Sequence, residues 1–217
     1  MISNLKKLFI SSSILCTVVL VPLPEQTLFK TIRFKGIPAS KVIHFKQGLT
    51  FKVDSSNSTY IYPFRDINEI GSILVEGSMT GVLNLRGKQQ GTSNADDYIF
   101  KIGLIIAGEK RLNFAQRLIA PNWVIEMENI LPNNIGVERV EFYIMVSDRS
   151  ILNTKRVHPL SDLFIENRVW LYDKNKKYFS HKYQLNQKMR VIGLWISSDG
   201  DNTKSKFSMT LTKIRLN

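Results

Sequence analysis

Polar and apolar residues alternate with a period of two along most of the chain. Such alternation is typical of half-buried strands, and the spacing of the runs predicts about ten to twelve of them. The runs are KTIRFKG (30–36), KVIHFKQ (41–47), LTFKVDS (49–55), TYIYPF (59–64), SILVEGSMTGVLNL (72–85), YIFKIGLIIAG (98–108), VERVEFYIMVS (137–147), NRVWLY (167–172), KYFSHKYQ (177–184), MRVIGLWIS (189–197) and KFSMTLTKIRL (206–216).

This pattern predicts an all-β fold, a β-sandwich or jelly roll, because helices do not alternate regularly with the strands. The run 98–108 is apolar enough for a central strand. Pro63 is expected to end its strand or to place it at an edge. Residues 109–120 and 158–166 are the candidate helices, or else irregular crossovers, and the loop 86–97 is expected at one end of the sandwich.

The first 24 residues differ in composition from the rest of the chain. Lys6 and Lys7 precede an uncharged run, 8–23, which is typical of a secretory signal. The run is shorter than the ~20 apolar residues of a membrane-spanning helix. A signal cleaved near residue 26, an uncleaved anchor and a lipoprotein modified at Cys16 all remain open. We therefore expect a signal or anchor at 1–26, a single β-sandwich domain at 27–217, and a bacterial periplasmic or extracellular location, membrane-anchored if the segment is retained.

Composition narrows the chemistry. Cys16 is the only cysteine, so a chain without the leader has no disulfide, no thiolate nucleophile and no cysteine-bound zinc. The formal net charge is +12, which favours anionic partners such as lipid headgroups or acidic polysaccharides. The sequence does not favour nucleic acid as a partner, because the basic residues alternate along strands and do not form one block.

Familiar catalytic motifs are missing from the sequence. It has no dinucleotide-binding glycine motif, no phosphate-binding loop, no zinc-protease motif and no nucleophile elbow. The three histidines, His44, His158 and His181, are far apart in sequence, and His44 and His181 lie in strand-like runs. A non-catalytic role is therefore favoured.

The stretch before the last strand is rich in oxygen-bearing side chains. Asp199, Asp201 and Asn202 are spaced for a hard cation, so calcium is a possible cofactor. The same residue types form tight hairpin turns, and both interpretations remain open. A second acidic pair, Asp96 and Asp97, precedes the run 98–108. Adjacent strand residues face opposite ways, so only one can point into a cleft, and we expect it to be Asp97.

Aromatic residues supply the other candidate ligand contacts. Trp170 and Tyr172 are two residues apart and share one strand face. Together with Trp195 they are predicted to bind a ligand if their face is exposed, or to pack in the core if it lies between sheets.

Three stretches resemble a family of exported bacterial proteins that is classed as a domain of unknown function. They are IYPFRDINEIG (61–71), ADDYIFKIGLIIAG (95–108) and VIGLWISSDGDNTKSKF with LTKIRL (191–207 and 211–216). The resemblance covers roughly residues 40 to 217. It implies export and a galactose-binding-like jelly roll, the sandwich of many carbohydrate-binding modules, but no activity. On this resemblance Asp97, Asp199, Asp201 and Asn202 match the family's acidic pair and turn, and have a shared role.

Three hypotheses follow for the function. The first is an exported, non-catalytic binding module for a glycan or another cell-envelope component. The second is a hydrolase of glycans or esters that uses Asp97 with Asp199 or Asp201, since paired carboxylates are the usual acid and base of glycosidases. The third is a structural envelope protein that assembles through exposed sheet edges.

Overall fold

A computed structural model describes residues 18–109, 111–159 and 161–217. This part of the chain holds eleven strands, two α-helices and two short 3-10 helices. The strands are β1 (Val19–Leu20), β2 (Lys30–Ile32), β3 (Lys41–Phe45), β4 (Gly48–Asp54), β5 (Asn57–Val82), β6 (Phe100–Gly108), β7 (Gly136–Val146), β8 (Thr154–His158), β9 (Ser161–Leu171), β10 (Tyr178–Asp199) and β11 (Lys206–Leu216); the helices are α1 (Phe114–Ile119) and α2 (Asn122–Ile130), and the 3-10 helices are Gln26–Leu28 and Arg149–Ile151.

All eleven strands belong to one hydrogen-bonded network. Its order is β3-β4-β11-β5-β10-β6-β7-β9-β8, with β1 on β11 and β2 on β5. The strands pair antiparallel except β7 and β9, which are parallel. The network has two layers because β5 and β10 are long enough to run through both.

The change of layer occurs where the pairing of β5 with β10 shifts register, between Gln184 and Met189. The first layer contains β3, β4, β11, residues 72–82 of β5 and 178–184 of β10. The second layer contains β2, residues 57–70 of β5, 189–199 of β10, and β6 to β9. The predicted β-sandwich is confirmed.

The space between the layers is the main hydrophobic core. Phe51, Met79 and Phe207 of the first layer belong to the same buried cluster as Leu104 and Met145 of the second. Burying one such side chain stabilises the fold by about 1.5–3 kcal/mol. This core explains why the strand pattern alternates in the first layer, whose outer face is in solvent.

The outer face of the second layer is also partly covered. A second buried cluster combines Ile105 and Ile144 of the sheet with Met127 and Leu131 from α2 and the segment after it. Strands with apolar residues on both faces, such as β6, therefore read as nearly continuous apolar runs. The central position that the sequence predicts for residues 98–108 is confirmed, because β6 lies between β10 and β7.

The helical predictions are partly right. The segment 109–120 contains α1, which begins with a capping box between Asn113 and Gln116. The prediction of a helix or crossover at 158–166 is wrong, because most of this segment is the start of β9. The buried face of β9 includes the charged residue Glu166, and this residue hides the period of two in this part of the sequence.

Pro63 neither ends its strand nor lies at a sheet edge. It is inside β5 and opposite Gly193, next to the register shift between Val191 and Gly193. Proline lacks an N–H, so an irregular position such as this is where a strand tolerates it. Gly77 of β5 lies opposite Leu211, next to the register shift between Leu211 and Lys213. A Cβ at Gly77 would clash with the carbonyl of Thr210.

The N-terminal segment joins the sandwich earlier than the sequence suggests. Residues 1–17, which carry most of the expected signal or anchor, lie outside the described residues. β1 pairs with the last strand, Val19 opposite Leu216. The side chains of Val21 and Leu23 are only 4% and 2% exposed. A cleavage near residue 26 would therefore remove part of the core. In the part of the chain that the structure describes, no helix has the length and apolarity to cross a bilayer.

Candidate functional site

A cavity of about 420 Å³ opens on the outer face of the second layer. One side is aromatic and is lined by Phe34, Trp123, Phe142, Phe164 and Trp195. The other side is polar and charged, and its lining includes Asp96, Lys101, His158, Glu166, Asp199, Asp201 and Asn202. The volume lies within the ~300–1,000 Å³ range of small-ligand pockets, which are also mostly apolar with a few directed polar groups.

Trp195 of β10 is the centre of the aromatic side. Its ring meets Phe142, Phe164 and Trp123 edge to face, at centroid distances of 5.6, 5.5 and 6.2 Å. Its indole N–H donates to the hydroxyl of Ser197 at 3.2 Å. Edge-to-face contacts hold each ring in one orientation. The aromatic side is thus a rigid wall in which Trp195 is largely buried and Trp123 is partly exposed.

An ion-pair network forms one part of the polar side. The Arg156 guanidinium lies 2.6 Å from Asp96 and 2.5 Å from Glu166. Arg168 is 3.5 Å from the same Glu166 oxygen and donates to the Tyr98 hydroxyl at 3.2 Å. Burial alone would raise the pKa of Asp96, but a hydrogen bond from His158 and the charges of Lys101 and Arg156 hold it well below its usual range.

The same network contains one arrangement that resembles a metal site. Among the described residues, Asp96, His158 and Glu166 bring one ligand atom each within 4.8 Å of one another. Arg156 already occupies both carboxylates through short hydrogen bonds. A divalent cation would have to displace this guanidinium from partly buried carboxylates. The arrangement therefore fits a structural ion-pair network better than a metal centre.

Asp199 lies at the end of β10, beside Lys101 of β6. Its Oδ2 is 2.7 Å from the lysine ammonium, and its Oδ1 accepts the backbone N–H of Tyr98 at 2.5 Å. Burial, together with the neighbouring Asp97, raises the pKa of Asp199 to about 7 despite the opposite effect of Lys101. Burial would lower the pKa of Lys101, but the carboxylates of Asp199, Asp96 and Glu166 raise it.

Asp97 has a different position from the one expected. Its side chain is fully buried and accepts the backbone N–H groups of Asn202 (3.1 Å) and Thr203 (2.6 Å) and the Thr203 hydroxyl (2.6 Å). Asp96, not Asp97, lines the cavity. Adjacent residues do face opposite ways, as expected, but the inward one organises the turn. The turn 199–203 is thus held by a carboxylate 106 residues away in sequence from Thr203.

Asp201 and Asn202 lie at the cavity beside this turn. Burial and the nearby Asp97 raise the pKa of Asp201, and a hydrogen bond with Asn57 lowers it. Asp201 makes no ion pair with any described residue, unlike Asp96, Glu166 and Asp199. It is therefore the carboxylate best placed to accept hydrogen bonds from a ligand.

The predicted aromatic platform divides into two parts. Trp195 lies at the cavity, whereas Trp170 is in the core between the layers, stacked between Phe100 (6.3 Å) and His181 (5.8 Å). Tyr172 is partly buried against that core and lines a separate shallow depression near residues 81–87. Trp170 and Tyr172 do share a strand face, and that face is the one between the layers.

Sequence reasoning missed several lining residues. Phe34 follows β2, and Trp123 is on α2. Phe164 and Glu166 are on the part of β9 that was predicted as a helix or a crossover. They converge because β9 pairs in parallel with β7 and α2 covers the same face. Such a crossover leaves no local sequence signal.

The chain was compared with protein-family models, curated proteins and solved structures. No family model matches the chain, and no curated protein matches it. Among solved structures, the chain is similar to a xylan-binding module, CBM15, with 9% identity over 92% of this chain and 95% of that one, at a TM-score of 0.34. At this TM-score the likeness carries no argument about function. The resemblance to the domain of unknown function therefore stays a prediction.

Proposed function

We propose that the protein is an exported, non-catalytic module that binds an uncharged glycan in the cavity of the second layer. The observation that carries the proposal is one cavity with an aromatic wall around Trp195 facing the polar turn 199–202. Sugar rings bind proteins in this manner, with their C–H faces on aromatic rings and their hydroxyl groups on polar side chains.

The charges of the cavity favour a neutral ligand. Asp96 and Glu166 are neutralised by Arg156 and Arg168, and Asp199 is paired with Lys101. Unpaired Asp201 would accept hydroxyl hydrogens and would repel a carboxylate or sulfate group on the ligand. A uronic acid polymer is therefore a poorer ligand for this cavity than a neutral oligosaccharide, despite the positive charge of the whole protein.

Export is supported by the basic and apolar start of the sequence. Because β1 and residues 21–23 are part of the sandwich, we propose that any cleavage occurs before Val19. The cavity then belongs to a folded domain that begins near residue 18.

Titration calorimetry of the full-length chain with neutral oligosaccharides of several backbone types tests the proposal. We expect one class to bind, and Trp123→Ala to weaken it by at least about tenfold, as is usual for a buried aromatic contact. Tyr178→Ala, at an aromatic residue 70% exposed on the other layer, is the matched control and should not change the affinity. Failure of all neutral oligosaccharides to bind would contradict the proposal.

A hydrolase is the second candidate, and the raised pKa of Asp201 favours it. A cavity carboxyl that holds its proton more tightly than usual, and that makes no ion pair with a described residue, can act as a general acid, with Asp199 as a second carboxyl in the same cavity. The pair that the sequence suggested, Asp97 with Asp199 or Asp201, does not fit. Both carboxylate oxygens of Asp97 accept hydrogen bonds from the turn. New reducing ends released from a bound oligosaccharide by the wild type, but not by Asp201→Asn, would replace the binding-module proposal with this one.

A further inference from the structure

The outer face of the first layer carries a concentration of lysines that the linear sequence does not reveal. Strand register places Lys41 of β3 opposite Lys52 of β4, and Lys52 opposite Ser208 of β11. Ser208 in turn lies opposite Thr80 of β5. The alternate residues of these strands fill the core, so this row of side chains faces solvent.

Two neighbouring segments add more positive charge. The turn 173–177 carries three exposed lysines and lies beside this row, because Met79 N–H donates to the Lys177 carbonyl at 3.0 Å. Arg86 and Lys174 line a depression that shares Gly81 with the groove along the row. We call this surface the lysine face; it consists of Lys41, Lys52, Arg86, Lys174, Lys176, Lys177 and Lys206, all exposed.

Few acidic groups balance these charges. Asp54 pairs with Lys206 at 2.7 Å, and Asp173 lies 3.9 Å from Lys176. The other five members of the lysine face have no carboxylate within 4.0 Å among the described residues. Like charges directly opposite each other on a sheet, such as Lys41 and Lys52, are destabilising. An anionic partner would remove this repulsion.

The lysine face also has room and hydrogen-bonding groups for an extended ligand. A groove of about 550 Å³ runs along it, lined by Lys41, Lys52 and Lys206 together with Thr80 and Ser208. The next row presents hydroxyl groups, with Thr50 and Thr210 bonded to each other at 2.8 Å. Ammonium groups alternate with hydroxyl groups. The surface can therefore form ion pairs with the carboxylates of a polymer and hydrogen bonds with its hydroxyl groups.

We infer that the lysine face is a second binding surface, for a linear acidic polysaccharide. Single-stranded nucleic acid fits less well, because it needs several aromatic rings on which bases stack. Among the described residues, Tyr178 is the one large aromatic side chain exposed beside this face. A bilayer surface also fits less well, because shallow insertion requires an apolar cluster, and in the part of the chain that the structure describes Val82 is the one large aliphatic residue exposed there.

The lysine face and the cavity are independent. The cavity lies on the outer face of the second layer, and the lysine face lies on the outer face of the first, with the core between them. The cavity is lined by several carboxylates, whereas the lysine face has few. The inference therefore does not rest on the proposed function, and one can fail without the other.

Binding of the full-length chain to polygalacturonate, measured by interferometry at several salt concentrations, tests this inference. We expect binding that weakens steeply with salt, because lysine contacts release counterions. The triple variant Lys41→Gln, Lys52→Gln, Lys177→Gln should weaken binding by about tenfold or more and flatten the salt dependence. Trp123→Ala should leave it unchanged.

The matched control removes the same charge from exposed lysines outside the lysine face, as Lys30→Gln, Lys155→Gln, Lys188→Gln. It should change the affinity by less than about twofold, because distant charges are screened at physiological salt. Equal losses in the two triple variants would show that only net charge matters and would overturn the inference. Tighter binding to a single-stranded oligonucleotide or to anionic phosphatidylglycerol vesicles than to polygalacturonate would also overturn it.

Discussion

Asp97 and Thr203 are joined by two hydrogen bonds to one carboxylate oxygen, from the threonine backbone N–H and from its hydroxyl, each 2.6 Å long. This contact connects the segment before β6 to the turn before β11. It places Asp199, Asp201 and Asn202 at the edge of the cavity. The turn is thus both a tight connection and a wall of the candidate site.

The first prediction concerns this contact. Asp97→Ala would leave three donors without their buried acceptor, and each such loss costs about 1–3 kcal/mol. We expect the free energy of unfolding, measured by urea denaturation, to fall by at least about 3 kcal/mol. The exposed Asp173→Ala should change it by less than about 0.5 kcal/mol. Similar free energies of unfolding for both variants would show that the hydrogen bonds of Asp97 do not stabilise the fold.

The second prediction concerns pH. Burial raises the pKa of Asp199 to about 7, whereas the unfolded chain has the ordinary value near 3.8. Between these values the folded state holds a proton that the unfolded state has lost, so this group makes stability decrease as pH rises from about 4 to 7. The slope is at most about 1.4 kcal/mol per pH unit.

Asp199→Asn should make the decrease between pH 4 and 7 smaller in a series of urea denaturations, since asparagine does not titrate. Asp162→Asn, at an exposed position, should leave the wild-type slope. If the slope is the same in all three proteins, Asp199 is ionised in the folded state across this range.

The third prediction separates two tryptophans. Trp170 is 4% exposed in the core between the layers, so Trp170→Ala should lower the free energy of unfolding by about 3–5 kcal/mol. Any oligosaccharide that the cavity binds should still bind to this variant, below its melting temperature. Trp123→Ala should have the opposite profile, with a large loss of affinity and a smaller loss of stability, because Trp123 is partly exposed.

The fourth prediction concerns the N-terminal boundary. A chain that begins at residue 27 lacks Val21 and Leu23, which are buried, and lacks the pairing of β1 with β11. We expect it to be less stable than a chain that begins at residue 18 by about 3–6 kcal/mol, from two buried side chains. In the full-length chain, Leu23→Ala should cost about 2–5 kcal/mol, and Leu20→Ala, at a side chain 62% exposed, should cost little. If the two truncated chains are equally stable, the folded domain begins near residue 27, as the sequence predicts.

The fifth prediction concerns calcium. Both oxygens of Asp199 are engaged, one by the Lys101 ammonium and one by the Tyr98 backbone. A calcium ion at the turn would have to displace this lysine and would then gain few oxygen ligands. We expect the melting temperature to be the same in EDTA and in millimolar calcium. A calcium-dependent increase that disappears in Asp201→Ala would instead make the turn a metal site.

The sequence by itself determined the fold class. A period of two is a local property of the strand backbone, so the runs around Phe51 and Met209 could be recognised without their partners. The prediction failed at residues 158–166, where the buried positions of the strand are Phe164 and the charged Glu166. Glu166 is buried only because it forms an ion-pair network with Arg156 and Arg168.

Only the tertiary structure decided which residues meet. Strand faces are visible in the sequence, but which face lies between the layers is not, so Trp170 and Trp195 could not be told apart. The lysine face has the same origin: Lys41, Lys52 and Lys177 are scattered along the chain and gather through the register of four strands. Contacts between distant strands depend on packing and hydrogen-bond register across the whole sheet, and no short stretch of sequence carries that information.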